Sequence, residues 1–556
     1  MAARLWHFKG GLHLPDHNAM SMAMPVREAN IPRHLVLPLQ QHIGNRAEPV
    51  VDVGDQVLKG QLIARAEEYV SAPVHASSSG TVIAIEERPV PHPSGQAAPC
   101  IVIETDGADA WCEREAHRGH YSDLDPSALR NIIRKAGIVG LGGAGFPSFI
   151  KLNPGPAREI DTLILNGSEC EPYITCDAML MPERAREIVE GLLIMRHAVH
   201  ARHCKIGVED NKPEAISALR EALGNEEAGF IEIVEIPTLY PVGGEKQLIK
   251  VLTGREVPSN GLPLDVGIVC HNVGTAAAVQ RAVVHGEPLI SRNVTITGDA
   301  VGRPTNLNVR FGTPISELLA QCEVDTEGLQ RLVMGGPMMG IALHDDAAPV
   351  IKTTHCILAT RKAPGAAGAM PCIRCGQCAE VCPVRLLPQQ MYWYAKAREF
   401  DKVQDYNLFD CIECGCCSYV CPAHIPLVQY YRYAKTEIWA KEKEKQKADA
   451  ARERHEFHQY RQEREKQEKE ERHRKKREQL KKARGEGGES KADAKQAAIE
   501  AATQRVKAKR SQQQVTPKNT DNHTDEQKRA ITEAHERRAR IREAKDTPES
   551  SSEEPK

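Results

Sequence analysis

CIECGCCSYVCP, residues 411–422, sets Cys411, Cys414, Cys416, Cys417 and Cys421 within eleven residues and closes on Cys-Pro. Upstream, CIRCGQCAEVCP, residues 372–383, repeats the spacing with Cys372, Cys375, Cys378 and Cys382. Each run is C-x2-C-x2-C-x3-C-P. Three thiolates at intervals of three let a tight loop wrap one face of an iron–sulfur cubane, while the fourth cysteine ligates the neighbouring cluster. The spacing therefore assigns Cys372, Cys375, Cys378 and Cys421 to one [4Fe–4S] cluster, and Cys411, Cys414, Cys417 and Cys382 to another. Zinc is the alternative, but it takes four ligands as two separated pairs and leaves the third in-register cysteine and the Cys-Pro ending unexplained. Cys416 is out of register and reads as a small buried or free thiol. Between the runs, LLPQQMYWYAKAREFDKVQDYN reads as helical, with its aromatics packing against the clusters.

Around this double run the chain is long, 556 residues, enough for three or more domains. Nine of its seventeen cysteines lie between Cys372 and Cys421, a clustering that reads as metal ligation in a reducing compartment. No apolar run approaches about 18 residues, and MAARLWHFKGGLHLP is too polar to export or span, so membrane contact is expected through partners or a surface patch. The net charge of −2 hides an acidic body, 40 Lys+Arg against 50 Asp+Glu in 1–440, and a basic tail, 33 against 25 in 441–556.

Short Val/Ile-rich runs separated by VGD, KG, AP and SSG, from Glu48 to Glu86, predict a compact β module within 1–125. From 126 to 290, helical stretches such as PERAREIVEGLLIMRHAV alternate with β runs such as DTLILN, HCKIGVED and GFIEIVEIP. That alternation predicts an α/β domain with a largely parallel sheet. Residues 291–362 read as a small α+β module, 363–435 as the cluster domain, and 436–556 as a charged tail. The tail holds only eight residues from Val, Ile, Leu, Met, Phe, Tyr and Trp beyond 440, too few for a core. Its first part reads as an exposed helix and the part beyond GEGGES as disordered. Its carboxylates are mixed among the cations and its aromatics are few, Phe457 and Tyr460 beyond 440, so no nucleic-acid partner is expected.

A cluster carries one electron and makes no bonds, so another group must feed it. GLGGAGFPSFIKL, residues 140–152, brings Gly140, Gly142, Gly143 and Gly145 together, which lets backbone amides approach an anion closely. With NGSECEPY (166–173), YPVGGEKQL (240–248) and CHNVGT (270–275), it resembles, in order, the FMN- and NADH-binding region of the flavoprotein subunit of respiratory complex I. The resemblance implies a Rossmann-like domain in which Gly140, Gly142, Gly143, Lys151, Asn166, Glu169, Gly243, Asn272 and Thr275 hold FMN. It places Phe146, Glu171 and Glu245 on the side of NADH, the substrate. Ser168, Gly244 and His271 depart from that subunit's usual residues, and its own cysteine motif is replaced by the two runs.

The β module resembles the lipoyl and biotinyl carrier fold, a barrel sandwich, but has no lysine between Gln61 and Pro91 to take a cofactor. The whole order, including HFKGGLHLP, PLQQHIG, MGGPMMG and LLPQQMYWY, resembles the C-subunit family of the Rnf (Rsx) ion-translocating electron-transport complexes of bacteria. That family implies a β-grasp, soluble-ligand-binding module at 291–362. It also implies a peripheral subunit on the cytoplasmic face of the inner membrane, working with integral membrane and ferredoxin-like subunits in NADH-linked electron transport. The alternatives are a soluble reductase like the related cobalamin reductases and a non-catalytic electron-relay adaptor.

Overall fold

The computed structural model describes residues 4–155, 158–225, 227–361, 368–485 and 499–506. The chain divides into two units, Met1–Glu444 and Lys445–Lys556.

In the first unit, the early Val/Ile runs become two small antiparallel sheets. One has His34–Pro38, Ala97–Thr105, Gly80–Pro89 and Gln56–Val57 in that spatial order; the other has Glu48–Pro49, Leu62–Arg65 and Val74–His75. Alternation along the strands buries Leu35, Leu37, Ile63, Ile101 and Ile103 completely, each removing an apolar side chain worth about 1.5–3 kcal/mol from water. Ahead of them, Arg27–Glu28 runs parallel to Thr305–Arg310 and so extends a later sheet.

Thr162–Gly167, His203–Glu209, Ile231–Ile236 and Ile268–Asn272 form a four-stranded sheet, every pairing parallel. Counted along the chain, the spatial order is third, second, first, fourth. Leu163 and Leu165 enter the apolar cluster that contains Ile188 and Val279, whereas Ile164 enters the one containing Leu248 and Leu252. Both faces are therefore covered by helices, which is why these strands read as nearly unbroken apolar runs. On one face Gly191 lets helix Ala185–Val199 touch Val273–His285: a Cβ there would fall 1.9 Å from the Ala276 carbonyl oxygen. The DPSALRN stretch opens helix Pro126–Lys135, with Pro126 in the first turn and the Asp125 side chain accepting from the Ser127 and Ala128 amides.

A six-stranded mixed sheet follows, in the order Arg27–Glu28, Thr305–Arg310, Ser291–Thr297, Cys356–Thr360, Arg331–Met334 and Ile341–Ala342, with helix Ile315–Gln321. The two β runs and the helix expected from the sequence are present. Arg331–Met334, Ile341–Ala342 and Cys356–Thr360 were not expected, because runs of two to five residues show no period of their own. The expected boundary between 362 and 363 lies outside the described residues.

The cysteine segment has its own apolar cluster, in which Met391, Tyr392, Ala395, Val403, Leu408 and Tyr431 are buried. Of the MYWY aromatics, Tyr392 packs edge-on against Tyr430 and Tyr394 stacks on Tyr406, so they are packing groups. Helix Leu427–Gly485 begins inside this cluster and contributes Leu427, Val428, Tyr431, Ala434 and Ile438 to it. The second unit is helical over 445–485, and its described side chains there are exposed apart from Asp449. Pairs such as Arg461–Glu465 and Lys475–Glu471, four residues apart, line it. Of the stretch expected to be disordered, only 499–506 are described, and they are helical and exposed.

Candidate functional site

The two cysteine runs fold as copies. Left-handed backbone occurs at Arg374, Gly376 and Arg385 in the first (φ 60°, 83° and 56°) and at Glu413, Gly415 and His424 in the second (57°, 81° and 51°). A one-turn helix follows each glycine, Gln377–Glu380 and Cys416–Tyr419. None of these cysteines is paired in a disulfide. Burial raises the Cys378 thiol, and after burial its neighbours Cys375, Cys421 and Cys372 raise it further. Burial likewise raises Cys417, followed by Cys411, Cys414, Cys382 and Cys378. The thiols thus act on one another across the two runs, an all-sulfur donor set of the kind that iron–sulfur clusters take. Cys416 is fully buried. Its thiol hydrogen-bonds Cys414 and holds that thiol below its ordinary value.

The copies differ in their surroundings. Cys375 is exposed, whereas Cys414 and Cys417 are buried. In the second run Glu413 pairs with Lys435 at 2.8 Å and Arg432 at 2.8 Å, and Lys435 also donates to the Cys411 carbonyl at 2.7 Å.

The crevice of the parallel sheet opens where the strand order reverses, between the carboxyl ends of Thr162–Gly167 and Ile268–Asn272. Asn166 and Asn272 face each other there as direct partners in the sheet. Asn166 donates to the Gly243 carbonyl at 2.8 Å, and the Asn272 carboxamide oxygen caps helix Val273–His285 through the Gly274 amide at 2.8 Å. The glycine-rich loop closes on itself, the Gly140 amide meeting the Phe146 carbonyl at 2.9 Å, and is tethered by the Leu141 amide to Thr275 Oγ1 at 3.0 Å. Gly143 has open space where a side chain would stand, while a Cβ on Gly142 would press on Asn272 at 3.0 Å.

The crevice widens into a cleft of about 1070 Å³ lined by Gly142, Gly143, Asn166, Glu169, Glu171, Gly243, Glu245 and Asn272. Gly140, Phe146, Lys151 and Thr275 stand behind this wall. Lys151 donates to Glu245 at 2.5 Å and to the Cys270 carbonyl at 2.6 Å, so its charge is already shared. Other modules complete the cleft: Gln41 and His42 from the β module, Arg292, Met339 and His355 from the mixed sheet, and Ile412 and Cys414 from the second cysteine run. Ser168 Oγ and Gln247 Oε1 lie buried in the lining with no partner within the protein.

Two acids named from the sequence are deeply embedded. Glu169 accepts the Asp177 and Ala178 amides, each at 2.9 Å, at the start of helix Cys176–Glu183. Burial and then the charge of Asp177 push its carboxyl up to about 7. Burial also raises Asp177, which accepts from Asn272 at 2.6 Å. Glu171 accepts the Met338 and Met339 amides at 2.8 and 2.9 Å, and burial raises it too. His271 is buried with Nε2 unpartnered, and burial followed by the charge of Lys151 holds it well below its ordinary value. Sequence reasoning gave no role to Tyr240, Arg292 or Asp177. Tyr240 stood inside a quoted motif, but its contacts reach residues 69 and 174 positions away, beyond any local pattern.

Three family models match the chain: the RnfC barrel sandwich hybrid domain over residues 6–108, the Nuo51 FMN-binding domain over 133–281 and the 4Fe-4S dicluster domain over 371–425. Curated relatives named as the C subunit of an ion-translocating oxidoreductase complex align with it. That of Pseudomonas aeruginosa is 51% identical over 405 residues, 72% of this chain and 52% of the relative. That of Vibrio cholerae is 47% identical over 412 residues, 74% and 53%. That of Serratia proteamaculans is 46% identical over 413 residues, 73% and 58%. The chain thus spans about half the length of the curated relatives it matches. A solved NAD+-reducing [NiFe]-hydrogenase chain overlays 56% of this chain and 62% of its own at 17% identity, with a TM-score of 0.41.

Proposed function

This chain belongs to the C-subunit family of the ion-translocating oxidoreductase complexes, and from that premise we propose that it passes electrons between NADH and partner subunits through FMN and two [4Fe–4S] clusters. The observation that carries the reading is one cleft lined by Gly142, Asn166 and Asn272 and also by Cys414. When bound, a flavin accepts a hydride and releases electrons one at a time to carriers such as these clusters. Gly142 and Gly143 leave the loop backbone open to a phosphate, and Gly140 and Thr275 hold that loop in shape. Lys151 supplies charge from behind the loop, shared with Glu245. Asn166, Glu169, Gly243 and Asn272 frame the flavin side of the cleft, and Phe146, Glu171 and Glu245 serve the NADH side. Ser168 Oγ and Gln247 Oε1 leave a bound nucleotide two buried polar atoms to satisfy.

The domain limits in this reading are 1–125, 126–290, 291–362 as a β-grasp module, 363–435 and 436–556. No helix among the described residues is long and apolar enough to cross a membrane. From the family resemblance, the proposal seats the chain at the cytoplasmic face of the inner membrane through integral membrane and ferredoxin-like subunits, which carry any ion translocation.

Anaerobic purification tests the reading: about eight irons per chain, as two cubanes require, with flavin absorbance that NADH bleaches. Iron far below that number, or no flavin, overturns it. A second reading, an adaptor that only relays electrons, is favoured by Glu171 and Lys151 being already engaged within the chain. Bleaching of flavin by NADH in the isolated chain excludes it.

A further inference from the structure

Tyr240 is buried, 3% exposed, where the cleft meets the second cysteine run. Its hydroxyl donates to the Cys414 carbonyl oxygen at 2.6 Å and lies 3.3 Å from Glu171 Oε2. Its backbone is bridged both ways to Leu12, at 2.8 and 2.9 Å, and the adjacent Gly11 amide donates to the Val381 carbonyl at 3.0 Å. Val381 precedes Cys382. Gly10 crosses the same spot so closely that a Cβ would fall 2.6 Å from the Val381 oxygen. Tyr240 therefore reaches both backbone segments that supply the set Cys382, Cys411, Cys414 and Cys417, directly at Cys414 and through the Leu12 strap at Cys382. On its other side, Glu171 is pinned by the Met338 and Met339 amides and lines the cleft.

We propose that Tyr240 is a positioning residue that couples the cleft to the cluster held by Cys382, Cys411, Cys414 and Cys417. One hydroxyl proton faces two acceptors, Glu171 and the Cys414 carbonyl. Pointed at Cys414, the O–H dipole turns its positive end toward the ligand loop and stabilises the more negative, reduced cluster, raising its potential; burial makes the effect strong. A nucleotide whose ribose hydroxyls engage Glu171 ends the competition and commits the proton to Cys414. Occupancy of the cleft thereby makes this inner cluster a better electron acceptor, while the cluster of Cys372, Cys375, Cys378 and Cys421 is untouched.

The proposal rests on the two-cluster reading but needs neither bound flavin nor reaction with NADH, so the test uses chemical reduction. The full chain is purified anaerobically and titrated with dithionite while its EPR signals are followed. Cys375→Ser assigns the outer signal, and ADP-ribose serves as a redox-inactive occupant of the cleft. Tyr240→Phe is expected to keep about eight irons, to move only the inner potential to a more negative value, and to abolish the positive shift that ADP-ribose causes in the unaltered chain. Glu171→Gln removes the competing carboxylate and moves the inner potential the opposite way. An unmoved inner potential in Tyr240→Phe, equal shifts of both clusters, or no ADP-ribose shift in the unaltered chain overturns the proposal while leaving the electron-transport reading standing. Should Tyr240→Phe lose iron, Glu171→Gln decides: an inner potential that stays or falls there overturns it. A chain that binds no iron overturns both.

Discussion

The run 372–382 and the run 411–421 have one spacing and one backbone, down to three matching left-handed positions, yet they sit in different worlds. The first ends in solvent at Cys375. The second is enclosed by the long helix, through Lys435 and Arg432, by Tyr240 of the cleft lining, and by the Met338 backbone against Gly415. Spacing shapes the loop, but the surface against which the loop packs sets its dielectric, its hydrogen bonds and hence the potential of what it holds. The buried run faces the cleft and the exposed run faces outward, an order that the two proposed clusters would share as inner and outer.

The largest expected effect breaks the notion that each run is a separate site. Cys421→Ala should remove about four of about eight irons, and the signal lost should be the outer one, although its other three ligands lie upstream in 372–378; iron analysis with EPR reads this. An inner signal lost instead would uncross the ligands.

Next comes the asymmetry around Glu413. Burial alone would raise its carboxyl, but its bonds to Lys435 and then Arg432 outweigh that and hold it below its ordinary value. Glu413→Gln leaves Lys435, only 9% exposed, short of its carboxylate and should cost about 2–3 kcal/mol near neutral pH, below the full cost of breaking a buried pair because Glu413 is partly wetted. A carboxyl lowered in the folded state contributes its stability above its unfolded value and loses it as pH falls through the folded one. The gap between Glu413→Gln and the unaltered chain in guanidinium unfolding should therefore shrink on acidification below the ordinary carboxylate range.

A finer comparison uses the twin glycines. Gly376 and Gly415 share a φ near +80°, but a Cβ on Gly376 meets nothing within 4 Å whereas one on Gly415 falls 2.8 Å from the Met338 carbonyl oxygen. Gly376→Ala should cost about 1–2 kcal/mol from the left-handed backbone alone. Gly415→Ala should cost measurably more in the same unfolding experiment and disturb the inner signal, and equal costs would mean the Met338 contact yields freely. Smallest is Cys416→Ala, with iron unchanged, about 1 kcal/mol lost from a small cavity and the inner signal altered through the missing hydrogen bond to Cys414.

Much of this was legible locally. C-x2-C-x2-C-x3-C-P specifies two tight turns and a one-turn helix whatever surrounds it, and the alternation of β runs and amphipathic helices between 126 and 290 compels a parallel, doubly covered sheet. Gly142, Asn166, Gly243 and Asn272 were nameable because the motifs that hold them resemble the FMN-binding region of the complex I flavoprotein subunit. The short strands Arg331–Met334 and Ile341–Ala342 escaped notice because two to four residues carry no period. Tyr240 escaped because a tyrosine in a turn looks like any other until its hydroxyl is seen against Cys414.

The sequence by itself determined the cysteine spacing, the glycine-rich loop, the layering of the α/β sheet and the coreless tail, all of which follow from periodicity, glycine placement and composition within a few dozen residues. Only the tertiary structure decided that Arg27–Glu28 joins a sheet far along the chain, that Lys151 is shared with Glu245, that the cleft is walled by four modules, and that one cysteine run is inner and the other outer. Those outcomes depend on which surfaces meet across hundreds of residues, where burial and hydrogen bonding, not local propensity, set the energy.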